Sequence, residues 1–176
     1  TFDEKESRIL KNLLLADKLH VGDIMTPRTV IFGLDENLTV KSVSPASIRF
    51  SRIPLFDKNR DNIMGFVLKS DLLTCALQGR EDTPLHELGR PIAVALVRTP
   101  LSKIFDRLIA NQDQIALVME EDGKLLGLVT MEDLIETLIG TEIIDESDPV
   151  SDMREFARQQ WALRARRMNL NVDEPE

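Results

Sequence analysis

Apolar residues recur at helical spacing over residues 3–20, where Ile9, Leu10, Leu13, Leu14 and Leu19 form a partial stripe. Asp3 is placed to cap that helix, with Glu4 and Glu6 at the positive end of its dipole. Beyond Val21-Gly-Asp-Ile-Met-Thr-Pro27 the pattern turns strand-like at Val30–Phe32. Residues 38–48 predict a helix that Pro45 interrupts or ends. Ile53–Phe56 and Ile63–Leu68 predict two strands around the polar turn Asp57–Asn62. A helix then runs from Ser70 or Asp71 to about Leu77. The order repeats: strand Ile92–Val97, helix Leu101–Ala110 with Ile104, Phe105, Leu108 and Ile109 inward, and strand Ile115–Met119. A tight turn at Glu120–Gly123, strand Leu125–Val129 and helix Met131–Leu138 complete it.

The repetition extends to the residues themselves. Residues 51–73 align without a gap onto 113–135, and Ile53, Leu55, Gly65, Val67, Asp71 and Leu72 meet Ile115, Leu117, Gly127, Val129, Asp133 and Leu134. Upstream, Val21, Ile24 and Pro27 meet Leu85, Leu88 and Pro91 at a slightly larger offset. Each copy thus predicts a β-α-β-β-α unit too small to bury both faces of its own sheet. The expected architecture is a mixed α/β (α+β) fold of two such repeats packed with pseudo-two-fold symmetry and flanked by N- and C-terminal helices. The division reads as 1–20 linker helix, 21–80 first copy, 81–140 second copy and 141–176 tail. A ligand is expected between the copies.

Composition narrows the partners. Net charge is −8, which disfavours a nucleic-acid backbone. Cys75 is the one cysteine and lies in an apolar helical stretch, so it reads as a small core residue. His20 and His86 are far apart with no cysteine nearby, and no zinc spacing is present. No apolar run approaches the ~20 residues of a membrane span. The tail changes character: Glu142–Asp148 is acidic, and 150–168 predicts an amphipathic helix with Met153, Phe156, Ala157, Trp161 and Met168 on one side and five arginines besides. The acidic run reads as a solvated linker rather than a metal site, and packing against protein suits the helix better than a membrane surface.

Met25-Thr-Pro27, Ser51-Arg-Ile-Pro54 and the two Gly-x-x-x-x-x-Asp segments, Gly65…Asp71 and Gly127…Asp133, resemble a tandem pair of cystathionine-β-synthase (CBS) domains, the Bateman module, over residues 21–140. Asp23-Ile-Met-Thr-Pro-Arg28 and Ile139-Gly-Thr-Glu-Ile-Ile-Asp-Glu146 are similar, more narrowly, to the CorC/cyclin-M family of magnesium and cobalt transporters, whose bacterial members are often labelled haemolysin-like. That resemblance implies a membrane domain ahead of the pair, placing residues 3–20 as the link and this piece, soluble itself, at the cytoplasmic face of the inner membrane. Many members end in a further β-domain; here the arginine-rich helix stands instead.

The resemblance also implies adenine-nucleotide binding, ATP or AMP, with magnesium arriving on the phosphates. Asp133 would accept both ribose hydroxyls, and Thr130 would offer a hydroxyl beside a helix N-terminus that favours an anion. Ile53, Pro54 and Ile115 would wall the adenine, Phe50 would stack on it and Arg52 would fork onto phosphate. Thr26 is the matching position from the other side, and Arg28 and Asp71 are secondary candidates. Thr130-x-x-Asp133 equally reads as a helix cap, and the two roles can coexist. In the first copy Leu68 replaces the threonine, with Ser70 as the expected cap, so one competent site is expected, on the second copy. No nucleophile–base pair or P-loop is present, and no catalytic residue or protein metal site is expected. The implied function is a regulatory module of a divalent-cation transporter, acting through a homodimer on its own transmembrane domain. The rival readings are a ligand-free dimerisation module and a regulatory insert of a metabolic enzyme.

Overall fold

The computed structural model describes residues 3–140 and Ala162. The acidic stretch 142–148 and, apart from Ala162, the helix expected over 150–168 lie outside the described residues. In chain order the elements are α1 (Glu4–Ala16), α2 (Val21–Ile24), β1 (Thr26–Pro27), β2 (Leu34–Asp35), β3 (Arg52–Phe56), β4 (Ile63–Leu68) and α3 (Lys69–Leu77). They continue with β5 (Ala93–Leu96), α4 (Leu101–Asn111), β6 (Ile115–Met119), β7 (Leu125–Thr130) and α5 (Met131–Gly140). The result is a mixed α+β architecture with two sheets, one ordered β1-β7-β6-β5 and the other β2-β3-β4. No helix among the described residues is long and apolar enough to cross a membrane.

The contacts fall into two units that are not consecutive in sequence. One takes described residues 3–30 and 93–140; the other is Ile31–Ile92. The linker helix and the first ten residues of the expected first copy, 21–30, therefore fold with the second copy. In the first unit β1 pairs antiparallel with β7, setting Thr26 opposite Leu128 and Pro27 opposite Gly127. The helices cover one face of that sheet, with α1 against α4 and α5. Leu19, Val21, Ile104, Leu108, Ala116, Val118 and Val129 are fully buried there. Burying each large aliphatic chain contributes about 1.5–3 kcal/mol. The second unit closes a smaller core on Val40, Ile53, Leu55, Val67, Leu72, Cys75 and Leu85. The Cys75 thiol donates to the Arg80 carbonyl, in keeping with a structural cysteine.

Local chemistry sets the element ends. The Glu6 carboxylate accepts the Asp3 N–H at 3.2 Å at the start of α1. In the same way Asp23 accepts the His20 N–H at 2.9 Å at the start of α2. Gln112 adopts the left-handed conformation that ends α4, and the Asp113 N–H bonds the Leu108 carbonyl at 2.9 Å.

Several elements differ from the expected pattern. Val30–Phe32 is not a strand: Arg28–Val30 forms a single tight turn, and the pairing strand is β2, at Leu34–Asp35. The helix expected over 38–48 is two short 3₁₀ turns, Val40–Val43 and Pro45–Ser47. Ser44 between them is left-handed at φ 47°, and Pro45 has no N–H to continue a ladder. On α4, Ile109 points outward at 53% exposure. It follows Leu108 by one residue, a step of about 100° that carries it off the buried stripe. Leu10 and Leu14 on α1 are likewise exposed, Leu14 at 71%.

The β6–β7 hairpin is closed by Gly123 N–H to Glu120 carbonyl and Glu120 N–H to Lys124 carbonyl. Gly123 sits at φ +86° with open space around its Cα. Gly123→Ala is therefore expected to add backbone strain and no clash, lowering stability by about 1 kcal/mol in thermal unfolding.

Candidate functional site

The turn from β7 into α5 is locked in both directions. The Thr130 N–H donates to Asp133 Oδ2 at 2.9 Å, and the Asp133 N–H donates to Thr130 Oγ1 at 3.2 Å. This is the capping box that the spacing allows. Thr137 Oγ1 donates to the Asp133 carbonyl one turn on, at 2.8 Å. Asp133 is 5% exposed, and Asp133 and Thr137 are buried polar residues in a largely apolar unit. Thr26 and Ile115 flank the same strand: Thr26 on β1 lies opposite Leu128, and Ile115 on β6 lies opposite Thr130. Four expected site residues, Thr26, Ile115, Thr130 and Asp133, are thus brought together in one unit.

Glycine makes the close approach of β1 possible. A Cβ on Gly127 would stand 2.3 Å from the Thr26 carbonyl oxygen and 2.9 Å from Met25 Sδ. Only a residue without a side chain lets Thr26 lie this near β7.

The equivalent turn in the other unit is built differently. Leu68 occupies the cap position before α3 and makes no side-chain cap bond. Ser70, the expected cap, is the second residue of the helix instead, because the helix begins at Lys69. Asp71 forms an ion pair with Arg90, Nη2 to Oδ2 at 2.8 Å. The Arg90 backbone bonds Phe66 in both directions, at 2.8 and 3.0 Å, and a Cβ on Gly65 would meet the Arg90 carbonyl at 2.4 Å. Arg90 thus stands to β4 as Thr26 stands to β7. Nothing in the sequence reading singled out Arg90. The signal was present: the offset that sets Pro27 against Pro91 sets Thr26 against Arg90.

The remaining candidates lie in the 31–92 unit, with the exception of Arg28. The ring of Phe50 stacks on Phe32, with centroids 5.5 Å apart, so one of its faces is already used. Ile53 is fully buried in the core with Val67 and Leu72 and offers no wall to a ligand. Pro54 is buried and pairs in register with Phe66, while Arg52 is half-buried opposite Leu68. Ile115 alternates from Ala116 and Val118 to the other face of β6, where it too is buried, at 3% exposure. Arg28 is exposed in the turn Arg28–Val30. Lys69, the first residue of α3, donates its Nζ to the Ile48 carbonyl.

Among the described residues no group of three or more His, Cys, Asp or Glu is placed to hold a metal. The Lys41 ammonium is held above its usual 10.5 by the hydrogen bond to Asp82 and then by that carboxylate's charge. This pair is outside the expected site. Its contribution is present below pH 10.5 and lost above it.

Comparison with known proteins finds relatives in sequence and in fold. Residues 83–140 match the CBS domain family. The chain is 32% identical over 171 residues to the magnesium and cobalt efflux protein CorC of Salmonella typhimurium, covering 93% of this chain and 57% of that protein. The chain spans about half the length of the curated relatives it matches. Its fold is shared with the CBS domain of a bacterial CNNM/CorC family Mg2+ transporter in complex with ATP, at a TM-score of 0.71. That match has 24% identity and covers 77% of this chain and 98% of the other. A CBS-domain pair with bound AMP from Klebsiella pneumoniae is 28% identical at a TM-score of 0.63, covering 69% of this chain and 99% of that one.

Proposed function

Since residues 83–140 form a CBS domain in a chain homologous to the CorC magnesium and cobalt efflux proteins, we propose that it is the regulatory CBS pair of a membrane divalent-cation transporter. In this reading the module is no enzyme. It binds an adenine nucleotide at the Thr130–Asp133 turn and passes its occupancy, through a homodimer, to a transmembrane domain of the same parent chain. Magnesium or cobalt is then the cargo of the whole protein, and this piece works at the cytoplasmic face of the inner membrane.

The observation that carries the reading is the turn itself. A buried carboxylate, the Thr130 hydroxyl and the N-terminus of the ten-residue helix α5 meet at one end of β7, with Thr26 on the neighbouring strand opposite Leu128. A carboxylate is an acceptor-only group with about four lone-pair sites, the chemistry that ribose hydroxyls require of a partner. The first-turn N–H groups of α5 favour an anion, which suits a phosphate. Among the described residues no protein metal cluster stands ready, so magnesium would enter with the nucleotide's phosphates. The AMP carried by the 28% identical Klebsiella pair supports the same ligand class.

One observation favours the rival, a structural module with no ligand: the Asp133–Thr130 cap satisfies local needs without a nucleotide. Calorimetry separates the two. Titration with ATP, ADP and AMP, with and without magnesium, is expected to give one saturable site per chain. Absence of both heat and thermal shift at millimolar nucleotide would overturn the binding reading. Asp71→Ala is expected to change the affinity by less than about twofold, well under 1 kcal/mol.

A further inference from the structure

We infer that Arg90 is a built-in occupant of the first copy's carboxylate, and that it determines which of the two copies takes a nucleoside. The inference rests on the reading of Asp133 above. Its basis is a comparison of two turns, each inside its own unit. In one, the residue laid against the glycine of the strand is Thr26, and the helix begins with Thr130 and Asp133. In the other, the residue in the same place is Arg90, and the helix begins behind Leu68 with Asp71.

The equivalence is one of backbone, not only of alignment. Thr26 lies opposite Leu128, and Arg90 opposite Phe66, one residue past Gly127 and Gly65 respectively. Each carbonyl comes so close to its glycine that a Cβ would stand at 2.3 Å in one case and 2.4 Å in the other. The side chain at this position therefore starts from a fixed point beside the strand end.

What differs is chemistry. Arginine is a fork of donors with no acceptor, so it consumes carboxylate lone pairs and offers none to a ribose hydroxyl. The Arg90 guanidinium takes Asp71 Oδ2 at 2.8 Å, where a sugar would have to bond. Leu68 supplies no hydroxyl in compensation. The pair is half exposed, with side chains 51% and 36% accessible. It is accordingly weak, and removing it leaves the backbone bridge to Phe66 in place. The first copy thus keeps its glycine, its strand and its aspartate, and is set aside by one side chain.

The test uses the 176-residue chain with Asp133→Ala, which silences the second copy, and titrates Mg-ATP by calorimetry. The Asp133→Ala chain and its Leu68→Thr derivative are expected to remain silent at millimolar nucleotide. Adding Arg90→Thr to Leu68→Thr is expected to create one site per chain, at least about tenfold tighter than Leu68→Thr alone, and abolished by Asp71→Ala. A folded triple variant that stays silent overturns the inference, and so does equal binding by Leu68→Thr alone. Thermal unfolding reports the fold; should Arg90→Thr fail to fold, Arg90→Gln keeps the start of the aliphatic stem, drops the charge and takes its place. A wild-type chain that binds nothing refutes the Asp133 reading instead. One that binds two nucleotides, one of them lost in Asp71→Ala, refutes the role of Arg90.

Discussion

Gly127→Ala is expected to lower the unfolding free energy by about 2–3 kcal/mol and the melting temperature by about 4–12 °C. The new methyl would sit 2.3 Å from the Thr26 carbonyl oxygen and 3.1 Å from its carbon. Ordinary contact needs roughly 1 Å more, and the obstacle is backbone, which cannot rotate away. β1 is only two residues long, so relief comes by prising it off β7. Alanine also restricts the unfolded chain, which returns about 0.4–1 kcal/mol and is already set against the clash in this figure. Because β1 carries Thr26, nucleotide affinity is expected to fall with stability. Gly65→Ala should damage the other unit for the same reason, its methyl meeting the Arg90 carbonyl at 2.4 Å. The two losses should add, since the contacts belong to separate units. Urea denaturation of both single variants and the double variant checks this. A Gly127→Ala chain as stable as the parent would show that β1 does not bear on β7.

The repeat and the strands β3 to β7 were legible in the sequence because apolar runs and turn residues act locally, whereas the two-residue strands β1 and β2 were not. The long helices α4 and α5 were too, each having a clean apolar stripe. The alignment of the copies was not fully legible. An ungapped match pairs Ile53 with Ile115 and Leu55 with Leu117, yet the structure buries Ile53 and Leu55 where the other unit buries Ala116 and Val118. The cause is in the ladders: Arg52 faces Leu68, but Ile115 faces Thr130. The hairpin between Phe56 and Ile63 is one residue longer than that between Met119 and Leu125, so the first strand of each hairpin slips by one position. A slip of one moves every side chain to the opposite face. The two identities were therefore coincidental, and the adenine wall inferred from Ile53 was a core residue. The short first-copy helix was misread for another reason: Pro45 and left-handed Ser44 divide it, and tertiary packing decides what survives. Segment exchange between copies was beyond local pattern altogether, because nothing within residues 21–30 states which sheet they join.

Asp133→Ala is expected to weaken nucleotide binding by at least about 100-fold, or at least about 2.7 kcal/mol, beyond detection at millimolar nucleotide, and to lower stability by about 1–2 kcal/mol. The first figure comes from losing charge-assisted acceptance of ribose hydroxyls, at about 1.5–3 kcal/mol each before water competes for them. The second comes from the cap: the Thr130 N–H loses its 2.9 Å acceptor at a half-buried strand end. Alanine alone cannot separate a ligand role from a cap role, since it removes both. Asp133→Asn separates them. The amide oxygen it introduces can still accept the Thr130 N–H, so stability should stay within about 1 kcal/mol of the parent. The other terminus of that amide is a donor without charge, so affinity should still fall at least about tenfold. A chain in which Asp133→Asn binds Mg-ATP as the parent does, while Asp133→Ala binds weakly and melts early, would mean that Asp133 acts through the helix alone. Loss of affinity in both variants, with stability lost only in the alanine, would place the carboxylate on the nucleotide. The cap would then be the device that holds it there before the ligand arrives.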